Sequence, residues 1–541
     1  MKQIPVLMLL MAFSLISCGE VMDLTQPEKA EVTYSNITLS LYQTGKYDLY
    51  LDEPEYQYNI MVEKSHCEKE AKAELAVVDA KEFGEEYHLL PVEYYDMDGG
   101  NFEFKGDDVL HVVNLRFHDL GTLDGSKKYV LGLKLVSNDL AVNQEKSTMT
   151  FFLQQKQGEI DNPYILTTTN DLITLGDKLK DGKTIYAKIQ NDIDLQDTDW
   201  QPIETSASKQ IVLDGGGYTI RNLKVNTSSS GNQGFFGLLI GKCSNINFEH
   251  AQITANTKMT GVVAGQVGNT SAPGVVENVQ VSGTITLTSG TGPTAWDNGQ
   301  AGGICARLQG EESKIHQCSS EMNINATWSA GGICGEATIG ATISQCHFSG
   351  NIVTTSCIGG IVSRMFKGTV THCYSSGMLN AASPWTVANA GGGIAGHVEP
   401  TNPSAVISYC YSDCNVSARN QVGGIMGFAY TSTGITVSYC VAWNPALLSG
   451  AAPRSGRVCG YFKNNIANRC YANPGMTCAF PVNTALPAHT DQDNLSGTVA
   501  VDWYDGLSTM TTPIAAAKSL SWDESIWDLN GEKPRLAWTL D

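Results

Sequence analysis

One short element recurs about every thirty residues from Gly234 to Gly456, and it limits the possible folds more than any other feature of the chain. It is a glycine, an aliphatic pair and a small residue. It reads GFFG at Gly234, GVVAG at Gly261, GGICA at Gly302 and GGICG at Gly331. It continues as GGIVS at Gly359, GGIAG at Gly392, GGIMG at Gly423 and GRVCG at Gly456. Between these lies a second element: an apolar residue, a tight bend and another apolar residue. The bends fall at Asn222, Asn245, Asn278, Gln317, Gln345, His372, Tyr409 and Tyr439. Periods of this length belong to solenoids and arrays. Glycine before the aliphatic pair permits a sharp corner or a close approach of neighbouring coils. Asn tolerates the left-handed backbone of a bend. Gln, His and Tyr suit it less, so the later bends are expected to be less regular. A strand, corner, strand and bend per period make one turn of a parallel β-helix. Stacked about 4.8 Å apart, eight or nine such coils build a rod of about 40 Å.

The cysteines follow the same period. Cys318, Cys346, Cys373, Cys410 and Cys440 occupy one repeat position, and a one-residue shift brings Cys470 into line. Cys305, Cys334 and Cys459 share a second position after the corner. Free cysteine packs as a small hydrophobe, so each set is expected to form an interior column of thiols. Metal binding is the competing reading, prompted by His316 with Cys318, Cys346 with His347, and His372 with Cys373. These pairs lack the C-x-x-C spacing of zinc sites. Neighbours on a strand also point to opposite faces, so no metal or other cofactor is expected.

The N-terminus carries Lys2, then an apolar run from Ile4 to Ile16, then LISC and Gly19. The run is too short to span a bilayer and reads as a secretory signal. The LISC segment resembles the lipobox of bacterial lipoproteins, which implies lipidation of Cys18. Residues 1–17 are then a signal peptide and 18–28 a lipidated tether, with several acyl chains anchoring the protein. Glu20 and Asp23 favour export beyond the anchor. A formal net charge of -20 argues against nucleic acid, whose phosphates need a basic face.

Residues 29–155 alternate apolar and polar side chains in short runs, as half-buried strands do. A β-sandwich is expected there, immunoglobulin-like in class. The segments Tyr87 to Asp108 and Leu120 to Asp139 resemble a family of N-terminal domains of unknown function on Bacteroidetes surface lipoproteins. After a linker at 156–163, residues 164–210 read as an N-terminal cap with a short helix burying Leu172, Leu175 and Leu179, followed by the first coil. Residues 211–480 form the repeat region, and its glycine corners resemble those of GLUG-motif β-helices. The resemblance implies an adhesin-like surface protein. Residues 481–541, with their Trp-rich end, resemble the usual closing segment and are expected to cap the open end.

Enzymatic β-helices that cleave glycans need clustered carboxylates, or a carboxylate-bound calcium with a basic residue. Between Asn298 and Phe480 the acids are Glu311, Glu312, Glu321, Glu336, Glu399 and Asp413, scattered over different coils. Asp192, Asp194, Asp197 and Asp199 do cluster, but in the first coil. A phosphate loop at Leu213 to Thr219 lacks the lysine and the following helix. No catalytic residue is therefore expected.

If the ladder cysteines face inward, the next residue on each strand faces out. That column contains His347, Tyr374, Tyr411, Val441 and Tyr471. Trp296, Trp328 and Trp385 precede glycine corners, and Trp443 lies nearby on another strand. Such rings stack on sugars, or else shield the core and pack against loops. The expectation is an all-β, non-enzymatic lipoprotein of the outer membrane, facing the cell exterior, that binds glycan or a cell-surface glycoprotein along the β-helix. The alternatives are a polysaccharide lyase or glycoside hydrolase, and a structural spacer for protein assembly.

Overall fold

The structure is a computed structural model that describes residues 38–540, apart from 52, 54, 66–68, 126, 197, 228–230, 257–258, 289–298, 382–388, 400–404, 431–432, 451–453, 481–488 and 494–496. The lipobox with Cys18, the tether, Cys67, Trp296 and Trp385 lie outside the described residues. The chain divides into two compact units, Met1–Lys156 and Gln157–Asp541.

The first unit is a β-sandwich. One sheet has five strands in the order Ala141–Val142, Thr38–Leu41, Glu55–Lys64, Leu110–His118 and Tyr95–Asp98. The other runs Gly45–Tyr50, Thr148–Gln154, Lys128–Val136, Ala71–Val78 and Asn101–Phe104, with Tyr87–Leu89 added beside Lys128–Val136. Alternation along Glu55–Lys64 places Ile60 and Val62 in the core, at 1% and 0% exposure. Between the sheets the rings of Tyr47, Tyr58, Phe117 and Phe151 meet edge-on, tilted or stacked, 4.9–6.2 Å apart.

The second unit is a parallel β-helix. A nine-stranded sheet, a six-stranded sheet and a larger winding sheet run up its faces. One coil comprises Ser329–Gly331, Cys334–Thr338, Ala341–Ser344 and His347–Thr354. It pairs in parallel with the next coil, Cys334 opposite Val362, Ile343 opposite Val370 and His347 opposite Tyr374. At the corners close approach, not φ, demands glycine. A Cβ on Gly331 would meet the Cys334 carbonyl oxygen at 2.0 Å, and one on Gly332 would meet the Gly360 carbonyl at 2.2 Å.

The bends are more regular than expected. Asn222, Asn245 and Asn278 have φ of 58°, 55° and 52°, while Gln317, Gln345, His372, Tyr409 and Tyr439 hold 50–54°. Neighbouring side chains offset the cost of the left-handed backbone, about 1–2 kcal/mol per residue. Asn278 donates to Asn245 at 2.9 Å and Gln317 to Gln345 at 3.2 Å. His372 stacks on Tyr409 at 5.0 Å, and Tyr409 on Tyr439 at 5.1 Å. Cys470 joins the ladder without a register shift. Ala467 lies opposite Val437 and Asn468 opposite Ser438, which brings Arg469 to the bend with φ 34°.

Twelve of the described cysteines are buried and unbridged, and Cys478 is exposed. Cys305 and Cys334 stand 3.8 Å apart, sulfur to sulfur. Burial pushes the Cys243 and Cys414 thiols up to about 12, so neither supplies thiolate at neutral pH.

The two ends are closed differently. At the N-terminal end, Thr169–Ile173 is a short helix whose Thr168 and Asp171 cap each other reciprocally. Leu172 and Leu175 are fully buried in the shared core, and Leu179 packs partly buried against it. At the other end, Gly497–Thr498 pairs antiparallel with Ile466–Asn468, and Val499 and Tyr504 fill the last coil. The Trp-rich segment does not close that end. It lies along the side of the β-helix, as described next.

Candidate functional site

The outward column stands in register up the coils: Gln280, Ser319, His347, Tyr374, Tyr411, Val441 and Tyr471. These residues point away from the core, as alternation requires. Most are nevertheless covered. Tyr374, Tyr411, Val441 and Tyr471 are 5%, 1%, 0% and 3% exposed. The cover is the C-terminal segment: the helix Pro513–Ser519, the small hairpin of Trp527–Asp528 with Arg535–Leu536, and the final turn Ala537–Leu540. Ala516, Ala517, Leu520, Trp522, Trp527, Leu529 and Leu536 form one apolar cluster with the column. Trp443 packs partly buried against this cluster. Tyr411, Tyr471 and Trp443 are therefore packing residues of this strap. Trp328 is also buried, at 2% exposure, so neither it nor Tyr411 offers a face to a ligand.

Polar contacts fix the strap over several coils. Tyr471 and Ser519 share a hydroxyl hydrogen bond of 3.0 Å. Trp522 Nε1 donates to the Tyr439 carbonyl at 2.9 Å, and Trp538 Nε1 donates to the Gln345 carbonyl at 3.0 Å. Lys533 Nζ donates to Tyr374 Oη at 2.5 Å and to Asp413 Oδ2 at 2.9 Å, and lies 5.1 Å from the Tyr374 ring centre.

A cleft of about 410 Å³ lies where the strap ends. One wall is the coil face with Ser319, Glu321, His347, Ser349 and Ser376; the other is the strap with Lys533, Arg535 and Trp538. His347 stacks flat on Tyr374, 4.6 Å between centres and 3° between planes. Its Nε2 is buried and has no hydrogen-bond partner among the described residues. Burial, with smaller contributions from the Lys533 and Arg535 charges, holds the imidazole down at about 4. The ring is thus neutral at pH 7, with one nitrogen to donate and one to accept. Of the residues singled out in the sequence, His347 and Tyr374 line this cleft. Its strap wall was not anticipated. The signal for it was an aromatic tail of Trp522, Trp527 and Trp538 with Lys533 and Arg535 outside the repeat register. Such a tail needs an apolar face to bury against, and the ring column supplies one.

Of the clustered acids of the first coil, Asp192 and Asp194 are engaged in structural bonds. Asp192 accepts from the Thr219 amide at 3.0 Å and from Arg221 at 2.9 Å; Asp194 accepts from Asn222 at 2.8 Å. The Thr219 amide and Arg221 hold Asp192 below the usual carboxylate range. Glu336, 5% exposed, lies on another face and accepts from Arg307 at 2.9 Å and Arg364 at 3.2 Å. Cys346 bonds inside to the Ser344 carbonyl at 3.2 Å, while His347 lies on the outer face. Among the described residues, no three His, Cys, Asp or Glu side chains gather closely enough to hold a metal.

A family model described as "-like, N-terminal domain" matches residues 28–142, in the sandwich unit. Halomucin of Haloquadratum walsbyi is 28% identical over 155 residues, 26% of this chain. The match spans only 2% of that protein's own length. Among solved structures, a Bacteroides ovatus protein described as a "putative immunoglobulin A1 protease" is 19% identical, with a TM-score of 0.39 over 70% of this chain and 94% of its own. A structure described as IgA1 Protease is 12% identical, with a TM-score of 0.35 over 90% of this chain and 31% of its own. These are similarities of part or outline, and the first unit is the part that a family model recognises.

Proposed function

We propose that this chain is a non-catalytic, adhesin-like surface lipoprotein that binds glycan in the cleft between the coil face and the C-terminal strap. The observation that carries the reading is a cleft walled by serines, Glu321, Lys533 and Arg535, with the stacked His347 and Tyr374 rings at its side. A polar wall with one flat stacked ring pair suits a hydroxyl-rich ligand. The lipobox at Cys18 and the resemblance of the corners to GLUG repeats support a lipid-anchored position on the outer membrane, facing outward. The partners in this reading are a glycan or cell-surface glycoprotein and, through its acyl chains, the membrane. The scattering of carboxylates over different coils, with Asp192, Asp194 and Glu336 engaged in structural bonds, supports binding without catalysis.

A glycan array probed with the full chain and with His347→Ala tests the proposal. It predicts a set of bound glycans whose signal His347→Ala abolishes. No retained glycan, or an unchanged pattern in the variant, overturns it. Release of oligosaccharide products, assayed with and without calcium, would identify a polysaccharide-degrading enzyme instead. Protein capture without glycan affinity would identify a spacer.

A further inference from the structure

We propose that the cleft selects a sugar residue bearing a carboxylate, with Arg535 as its direct anion contact and Lys533 as a fixed charge behind it. The inference deepens the glycan-binding reading and rests on it.

The first argument is charge placement. The chain carries a formal net charge of -20, yet the strap brings two cations to one cleft. Lys533 is held in place by Asp413 and Tyr374. Arg535 is exposed and forms no ion pair among the described residues. A guanidinium presents a planar fork that matches a carboxylate in two parallel hydrogen bonds. Glu321, the carboxylate in the lining, is exposed, and the charges acting on the His347 ring are those of Lys533 and Arg535. Asp413 neutralises Lys533, which leaves Arg535 as the cation of the lining without an ion pair among the described residues.

The second argument is the remaining polar surface. The coil wall presents the His347 ring, held neutral and stacked on Tyr374. Ser319, Ser349 and Ser376 stand on three successive coils beside it. A neutral imidazole and three hydroxyls, Ser349 and Ser376 in register and Ser319 in the His347 row, match ring hydroxyls better than a second anionic group. The volume of about 410 Å³ is at the small end of ligand pockets and suits a terminal residue rather than a long chain. One carboxylate on a hydroxylated ring satisfies both walls at once.

Calorimetry on the full chain tests this with three trisaccharides of equal length. They end in glucuronic acid, galactose and sulfated galactose. The acidic sugar is expected to bind about tenfold more tightly than the neutral one, a difference of about 1.4 kcal/mol. Arg535→Gln, at an exposed position, is expected to remove that preference while weak binding of the neutral probe persists. Equal affinity for the acidic and neutral probes overturns the charge assignment and leaves glycan binding standing. So does an acid preference that survives Arg535→Gln. Tighter binding of the sulfated probe assigns the anion to a sulfate ester and overturns the carboxylate. Absence of binding by all three removes the cleft as a glycan site altogether.

Discussion

Two columns of side chains climb the same coils, one residue apart in the sequence. The inner column is Cys318, Cys346, Cys373, Cys410, Cys440 and Cys470; the outer is Ser319, His347, Tyr374, Tyr411, Val441 and Tyr471. The inner column is buried by the coils themselves, and each thiol packs on its counterpart in the next turn. The outer column is buried by a segment that does not repeat. Where that segment ends, the outer column opens into a cleft. Stability of the solenoid therefore resides in the repeat, while the candidate site depends on how far the strap reaches.

The largest separation of the two columns is expected from core truncation. Phe348 is fully buried beneath the Gly332 corner, and Phe348→Ala should cost about 3–5 kcal/mol. A lowered urea midpoint for the β-helix transition checks this. Trp527 is 0% exposed but belongs to the strap cluster. Trp527→Ala should cost about as much locally, with the loss confined to strap docking. Hydrogen exchange should quicken in Pro513–Ser519 and Tyr374–Ala381 while the inner coils stay protected. Uniform loss of protection would show that the strap and solenoid form one cooperative unit.

Acid titration distinguishes the faces next. Burial pushes His347 down to about 4 and His397, on the nine-stranded face, to about 3. Both are held neutral when folded, so the unfolded chain binds more protons below its ordinary histidine value of about 6.5. Their contribution is complete above that value and is lost as pH falls toward 4 and 3, up to about 3 kcal/mol for His347. His347→Gln should flatten the stability profile between pH 6.5 and 4, and His397→Gln should extend the flattening lower. The smallest effect is expected at a bend. Gln317 has φ 50°, and Gln317→Asn should change stability by less than about 1 kcal/mol, since the backbone preference of Asn is offset by loss of the bond to Gln345.

What was legible in the sequence was what repeats. The corner glycines, the inward thiols and the bend positions are each dictated by one coil resting on another, so their period reveals them. The residue types at His372, Tyr409 and Tyr439, taken singly, predict less regular bends. Stacking between coils, which holds them, is a property of the column. Cys470 needs no shift, because Ala467 stands where earlier coils carry Ile or Val. The strap was least legible. Trp522 and Trp538 bond to carbonyls of Tyr439 and Gln345, far away in sequence, and no local pattern encodes such a pairing.

The central claim is that the strap and the coil face together make a binding site. Trp538, pinned to Gln345 at the edge of the cleft, tests it most directly. Calorimetry with the acidic trisaccharide on full-length Trp538→Ala should show at least a roughly tenfold loss of affinity, or about 1.4 kcal/mol. The buried cysteines should stay unreactive to thiol reagents, showing the solenoid intact. Unchanged affinity in a variant whose final turn exchanges freely with solvent would contradict the account.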